Sequence, residues 1–297
     1  MNLRGIIFFL LASLLAGCGS APTPPAPPTP PAPLAPPAPP ARPQPAIPPP
    51  PAPPVSNKGI RAESYVVIDT ITGQILAEKN ARTPRAVAST QKLLTALCVL
   101  RAGPLADPVT VQSSDTRVEP SKIYISAGEN YTRRELVKAL LVKSGNDVAK
   151  ALARDVSGSE AAFVALMNGT AASLGMTNSN FKNPHGLTEP GQYSTALDLA
   201  TLAREVTKIP FYRQCMRTKK YPFQFPDGRT KTLTNTNKVL KRLPYCTGMK
   251  TGYTRASGRC LVSSGVLNGK AVIAVALGST SSEIWNDSEK LLRRFLE

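Results

Sequence analysis

Two apolar runs rich in β-branched residues, Gly258–Val266 and Lys270–Gly278, flank the short stretch Leu267-Asn268-Gly269. Asn-Gly between such runs predicts a tight hairpin, because both turn positions need a backbone with positive φ. A second hairpin is predicted far upstream, where Glu63–Asp69 and Gln74–Glu78 flank the turn Thr70–Gly73. Between the two hairpins the periodicity changes, and residues 105–240 read mostly as helices joined by loops. Just before that block, Ala88–Arg101 places Leu93, Leu94, Leu97 and Leu100 on one helical side. Thr132 followed by Glu135 is a capping box, and Leu136, Leu140 and Leu141 continue an apolar face behind it. Further helices are predicted from about Asp147, across Ala161–Leu174 and across Ala196–Val206, and an amphipathic helix over Ser282–Leu296 closes the chain. Strands at both ends of one segment, with helices between, predict an α+β fold: an antiparallel sheet covered by helices, with an inserted helical subdomain.

A different kind of sequence precedes this body. Of 30 prolines in 297 residues, 20 lie between Pro22 and Pro54, in a tract without glycine or acidic residues. Such a tract buries no core and favours extended polyproline II, a spacer of about 100 Å at full reach. The absence of glycine excludes collagen. Ahead of it, Arg4, the apolar run Ile6–Leu15 and the small residues Ala16 and Gly17 form the pattern of an export signal, too short to span a bilayer. Leu15-Ala16-Gly17-Cys18 resembles the bacterial lipobox, which implies cleavage before Cys18 and lipidation of its sulfur. The plain alternative is a secretory signal with a stray cysteine. The expected organisation is a lipoprotein signal peptide over 1–17, a lipid-anchored Pro/Ala-rich spacer over 18–57 and a globular domain over 58–297. The expected location is the cell envelope, on the periplasmic face of a bacterial membrane. Gly19, where some retention signals carry Asp, points to the outer membrane.

Charge narrows the partners. Lys and Arg outnumber Asp and Glu by 36 to 19, and only Arg4 and Arg42 lie before residue 58. An excess of this kind attracts anionic partners, an anionic envelope among them, or serves solubility alone. No run of Lys or Arg interleaved with aromatics supports nucleic-acid binding. One histidine and scattered cysteines argue against a dedicated zinc site, and no metal or cofactor is expected. Besides Cys18, the cysteines are Cys98, Cys215, Cys246 and Cys260, which allow three pairings. Cys98 and Cys260 lie in apolar runs and are expected as buried thiols; Cys215–Cys246 is the bridge expected if one forms.

Three short motifs carry chemistry: Ser89-Thr90-Gln91-Lys92, Ser144-Gly145-Asn146 and Lys250-Thr251-Gly252. Ser-x-x-Lys recurs at Ser179–Lys182, but only Ser89 begins the complete ordered set. Positions i and i+3 share a helix face, so Lys92 can take the proton of Ser89. A lysine acts as a base only when burial or a neighbouring cation lowers its pKa, and Lys250 is the candidate neighbour. Ser144 is the candidate relay to the leaving amine, and Asn146 the candidate holder of a substrate amide. Gly252 would let a substrate backbone lie along the strand edge, with the N–H groups of Ser89 and Tyr253 forming an oxyanion hole. The lone His185 lies in a loop away from the motifs and reads as a structural residue.

The segments Ala88–Ala96, Lys143–Asp147, Met176–Tyr193 (with Asn183-Pro184-His185-Gly186-Leu187) and Thr247–Thr254 resemble the serine D-alanyl-D-alanine carboxypeptidases, the low-molecular-weight penicillin-binding proteins of peptidase family S11. The resemblance covers roughly residues 60–297. It implies a β-lactamase/transpeptidase-like α+β fold with a five-stranded antiparallel sheet, and release of terminal D-Ala from peptidoglycan stem peptides through an acyl-enzyme on Ser89. By the same carry-over Lys92, Ser144 and Asn146 are catalytic, while Lys250, Thr251, Gly252, Tyr253 and Thr254 bind substrate. β-Lactams are the implied inhibitors. The chain departs from the pattern at two places: Ser279–Asp287 carries Trp285 but none of the arginines that often hold the terminal carboxylate there, and a commonly basic position after Tyr193-Ser194-Thr195 is Leu197. That duty is left to Lys250, Thr251 and Thr254, or to Arg255 or Arg259. The alternatives are a D,D-endopeptidase that cleaves peptidoglycan crosslinks and a non-catalytic wall-binding lipoprotein.

Overall fold

A computed structural model describes residues 59–297. The export signal, Cys18 and the spacer expected from the sequence lie outside the described residues. The body opens with β1 (Ser64–Asp69) and β2 (Ile75–Lys79), followed by a 3-10 turn over Ala88–Gln91 that leads into α1 (Lys92–Ala102). The inserted block holds β3 (Pro108–Thr110), α2 (Ser113–Thr116), β4 (Asn130–Thr132), α3 (Arg133–Lys143), α4 (Asn146–Ser157) and α5 (Glu160–Ser173). It continues through α6 (Ala196–Thr207), α7 (Pro210–Arg217), β5 (Lys220–Gln224), β6 (Thr230–Thr234) and α8 (Val239–Arg242). The chain then returns through β7 (Cys246–Thr254), β8 (Gly258–Leu267) and β9 (Lys270–Ser279) to α9 (Ile284–Leu296).

Both ends of the body build one antiparallel sheet of five strands, in the order β2-β1-β9-β8-β7. The β8–β9 turn closes over Asn268 (φ 50°) and Gly269 (φ 77°), as the Asn-Gly pair predicted. Strand β1 is nearly continuous in apolar residues because helices cover both of its faces. Val66 and Ile68 point to a core shared with α1 and α6, together with Val262, Ile273 and Val275. Tyr65 and Val67 point to a second core against α8 and α9, with Leu261, Ala274, Ala276, Leu291 and Leu292. Asp287 of α9 ties down the start of the body, accepting the N–H groups of Arg61 (2.8 Å) and Ala62 (2.9 Å) and the Ser279 hydroxyl (2.7 Å). The capping box of α3 forms as expected, Thr132 with Glu135.

Two expectations are corrected. The block over 105–240 is mostly helical, as expected, but it also contains strands that the sequence did not predict, the pair β3–β4 and the hairpin β5–β6. Pro222 hides β5 by breaking the usual strand signature, although Pro226-Asp227-Gly228 is a legible turn. This hairpin is pinned by Phe223, whose ring centroid lies 5.2 Å from that of Tyr131 and 5.1 Å from that of Phe225. The Cys215–Cys246 bridge does not form either, because Cys215 belongs to the first core and Cys246 to the second. All four cysteines in the described residues are free and buried. Burial pushes the thiols of Cys98 and Cys260 up to about 11 and that of Cys215 up to about 12, which makes them poor nucleophiles.

Candidate active site

Edge strand β7 and the inserted helices leave a cleft of about 680 Å³ between them. Its lining includes Ser89, Ser144, Asn146, Thr251, Gly252, Tyr253 and Thr254, residues that lie far apart in sequence. Ser89 is presented by the 3-10 turn ahead of α1. The residue before it, Ala88, is left-handed (φ 49°), a conformation that costs a non-glycine residue about 1 kcal/mol. Two glycines wedge this turn from either side. A Cβ on Gly186 would stand 2.3 Å from the Ala88 carbonyl oxygen, and one on Gly252 would stand 2.8 Å from that of Val87 and 3.0 Å from Ser89 N. Only glycine allows both backbones so close to Ser89.

Lys92 begins α1 and is fully buried, with Nζ 2.8 Å from Ser89 Oγ. The same nitrogen donates to Asn146 Oδ1 (2.7 Å) and to the backbone carbonyl of His185 (2.5 Å). Burial, and then the charge of Lys250, hold its pKa well below the usual lysine value, with Asp147 opposing the shift. A neutral amine has two N–H donors and one lone pair. In the structure Nζ faces three acceptors, Ser89 Oγ among them, and Ser89 Oγ donates in turn to the His185 carbonyl (3.3 Å). In a neutral amine the two carbonyl oxygens, which can only accept, would hold both N–H groups and turn the lone pair toward Ser89 Oγ. Burial and Lys250 favour the neutral amine, and the geometry sets Nζ within reach of Ser89 Oγ.

Lys250 is equally buried, and burial brings its pKa down to about 7. Its Nζ donates to the Thr251 carbonyl at 3.0 Å. Ser144 sits left-handed (φ 71°) at the C-cap of α3, and Asn146 opens α4, which places both side chains at the cleft. Asn146 Nδ2 donates to Glu119 O (2.8 Å), so the group expected to hold a substrate amide is engaged by the neighbouring loop. Thr251 donates its hydroxyl to Thr236 (2.7 Å). The Thr254 hydroxyl bonds both Thr188 (3.0 Å) and Ser257 (3.0 Å), in a network that braces the β7–β8 turn. Tyr253 is exposed, with Arg259 stacked 4.2 Å from its ring centroid. His185 Nδ1 accepts the Leu187 N–H (3.3 Å), and burial beside Lys92 pushes its pKa down to about 3, so the ring is neutral.

A family model described as D-alanyl-D-alanine carboxypeptidase, peptidase family S11, matches residues 52–281. The chain belongs to this family. The relative DacF of Bacillus subtilis, named a D-alanyl-D-alanine carboxypeptidase, is 36% identical over 225 residues; the match covers 74% of this chain and 58% of that one. The chain thus spans well under two thirds of that relative's length. A D-alanyl-D-alanine carboxypeptidase from Mycobacterium tuberculosis superposes with a TM-score of 0.77 at 31% identity, covering 81% of this chain and 93% of its own. A variant of the Streptomyces K15 DD-transpeptidase superposes at 0.75 with 30% identity, covering 78% and 96%.

Several residues of this S11 cleft are not marked in the sequence. Thr236, Lys238 and Ser281 line it, brought there by the segments that lead into α8 and α9. The His185 carbonyl is the largest omission, because no side-chain motif reports a backbone acceptor. The loop that carries it is held to α1 by Gln91, which donates to Asn183 O (2.6 Å), and by Thr95, which donates to Pro184 O (2.7 Å). Those two residues are the legible trace of the contact. Among the described residues no group of three or more His, Cys, Asp or Glu could hold a metal.

Proposed function

We propose that this protein is a serine D-alanyl-D-alanine carboxypeptidase acting on peptidoglycan stem peptides, and that β-lactams acylate it. The observation that carries the reading is the triple engagement of Lys92 Nζ, by Ser89 Oγ, Asn146 Oδ1 and His185 O. Ser89 Oγ attacks the scissile carbonyl carbon while its proton moves to Lys92. The carbonyl oxygen becomes an oxyanion facing the N–H groups of Ser89 and Tyr253. The C–N bond then breaks, and the proton passes by way of Ser144 to the departing amine of D-Ala. Water, deprotonated by Lys92, attacks the ester and restores Ser89. Lys92 serves both halves because its conjugate acid is destabilised by burial and by Lys250.

Export by residues 1–17, lipidation of Cys18 and a spacer over 18–57 would place this domain on the periplasmic face of a bacterial membrane, within reach of the wall. The signal pattern and the proline tract support that placement.

The test is incubation with pentapeptide muropeptides and with crosslinked dimers, followed by mass analysis and by labelling with a fluorescent penicillin. Ser89-dependent labelling with loss of one alanine from the pentapeptide is expected. Cleavage of dimers alone would assign the endopeptidase reaction instead. A folded protein that neither labels nor releases alanine refutes the proposal.

A further inference from the structure

A second pocket, of about 500 Å³, lies between α7, the end of β8 and the start of β9, and shares no lining residue with the cleft. Strand β7 passes both: Thr247 lines the pocket and Thr251 the cleft, roughly 13 Å apart at the rise of an extended strand. The pocket is a gap between layers. Ser264 pairs with Gly248 on one side and with Ile273 on the other. Ile273 belongs to the core shared with α1 and α6, so Ser264 and, two residues on, Val266 face the helical layer. That layer stops short. Met216 of α7 packs on Gly248, where a Cβ would stand 2.8 Å from the Met216 Cβ, and Val266 is left 51% exposed.

The polar groups in this gap are donors in excess of acceptors. Arg213 and Arg217, one turn apart on α7, both line it, and no Asp or Glu does. Neither arginine has an ion-pair partner among the described residues. Elsewhere in the fold Arg133 is held by Asp107 and Asp155, and Arg154 by Asp115. Arg213 Nη1 donates to the Thr207 carbonyl (2.7 Å), which fixes the guanidinium and leaves its other N–H groups for a ligand. Along the sheet wall the hydroxyls of Thr247 and Ser264 lie 2.7 Å apart. Only one of them can donate across that bond, so the other proton is left for a ligand oxygen, although Ser264 is buried.

We propose that this pocket is a second, non-catalytic site for a short peptide with a free carboxylate, and that Arg213 and Arg217 take the carboxylate. A guanidinium matches a carboxylate in two parallel hydrogen bonds and keeps its charge at every working pH. The rest of the lining selects the body of the ligand. Met216, Pro244, Val266 and Ala271 offer apolar walls to methyl-sized side chains, and the hydroxyls of Thr207, Thr247 and Ser264 lie among them for the peptide groups. A pocket of this volume and mixture fits a few small residues, whereas a bare inorganic anion would leave the apolar walls unused. The source of such a peptide rests on the carboxypeptidase reading: stem peptides ending in D-Ala supply both the methyl groups and the carboxylate. Because the wall repeats that peptide, a second point of attachment raises the effective concentration of stem peptides at the cleft.

Photo-crosslinking reads the two sites apart. The probe is a tripeptide ending in D-Ala with a diazirine on its N-terminal acyl group, added over a range of concentrations to the full Ser89→Ala chain, with the labelled segments mapped by mass spectrometry. Labelling is expected over residues 210–217 and 244–247, separate from any in the cleft. The same probe ending in a carboxamide is expected to need at least about tenfold higher concentration there, the effect of a charge-assisted contact. Adding Arg213→Gln and Arg217→Gln is expected to bring the two forms together. Arg217→Gln alone, at an exposed position, is expected to give an intermediate ratio and guards against misfolding of the double variant. Labelling confined to the cleft, or a ratio unchanged in both variants, overturns the inference. So does displacement by inorganic phosphate as effective as by unlabelled peptide, which marks a bare anion site. The readout needs no turnover, so failure of the wild-type chain to release alanine would count against the proposed reaction and leave this binding result standing by itself.

Discussion

Replacing Lys250 with Met tests the desolvation argument on which the base depends. Lys250 is fully buried, and its side-chain nitrogen has one protein acceptor, the Thr251 carbonyl. Its pKa falls from 10.5 in the unfolded chain to about 7 in the fold. Between these values the unfolded chain binds more protons than the folded one, so stability rises with pH. Above 10.5 both states are neutral and the contribution is complete; below 7 both are charged and it is lost. At about 1.4 kcal/mol per pH unit, the window is worth up to about 5 kcal/mol. Met has a similar volume and no charge, so Lys250→Met should flatten this part of the slope and raise stability at pH 7. Urea unfolding at pH 6, 7, 8 and 9, read by far-UV circular dichroism, measures it. A second readout follows from the pair. Without the Lys250 charge the pKa of Lys92 rises, so less of it is neutral at a given pH. The acidic limb of the acylation profile should move to higher pH. A stability slope identical to wild type, with an unmoved acidic limb, would refute the claim that burial and mutual repulsion create the base.

Asp147 acts on Lys92 with the opposite sign, so Asp147→Asn should move the acidic limb to lower pH. The same change weakens a carboxylate that accepts from the Ile123, Tyr124 and Val148 N–H groups, and should cost about 2 kcal/mol in thermal or urea unfolding. Lys92→Arg should nearly abolish acylation by a fluorescent penicillin, because a guanidinium cannot accept the serine proton; near wild-type labelling would remove Lys92 from the role of base. Gly252→Ala puts a methyl group against the backbone of Val87 and Ser89, costs about 1–3 kcal/mol of strain and should slow acylation tenfold or more, at about the level expected for a displaced nucleophile. Asp287→Ala leaves two N–H groups and a hydroxyl without their acceptor and should lower stability by about 3 kcal/mol with little change in the acylation rate.

Much of the fold was legible because it depends on local chemistry. Asn268-Gly269 needed two positive φ angles, Thr132 and Glu135 capped their helix, and the leucines of α1 kept helical spacing. The Ser89–Lys92 pairing was legible for the same reason, since one helical turn joins the two. The β5–β6 hairpin escaped because Pro222 masks a strand that tertiary aromatic packing holds in place.

The amino-acid sequence by itself determined which residue types were available for the proposed acyl transfer and which short segments would present them. Only the tertiary structure decided the rest, because the remaining relations join atoms remote along the chain. It placed the His185 carbonyl against Lys92 Nζ and put Cys215 and Cys246 in different cores. It also gathered Lys238, Arg259 and Trp285 on the α9 side of the cleft. A motif records side chains that are close in sequence, whereas charge, burial and backbone acceptors acquire their effect from neighbours that only folding supplies.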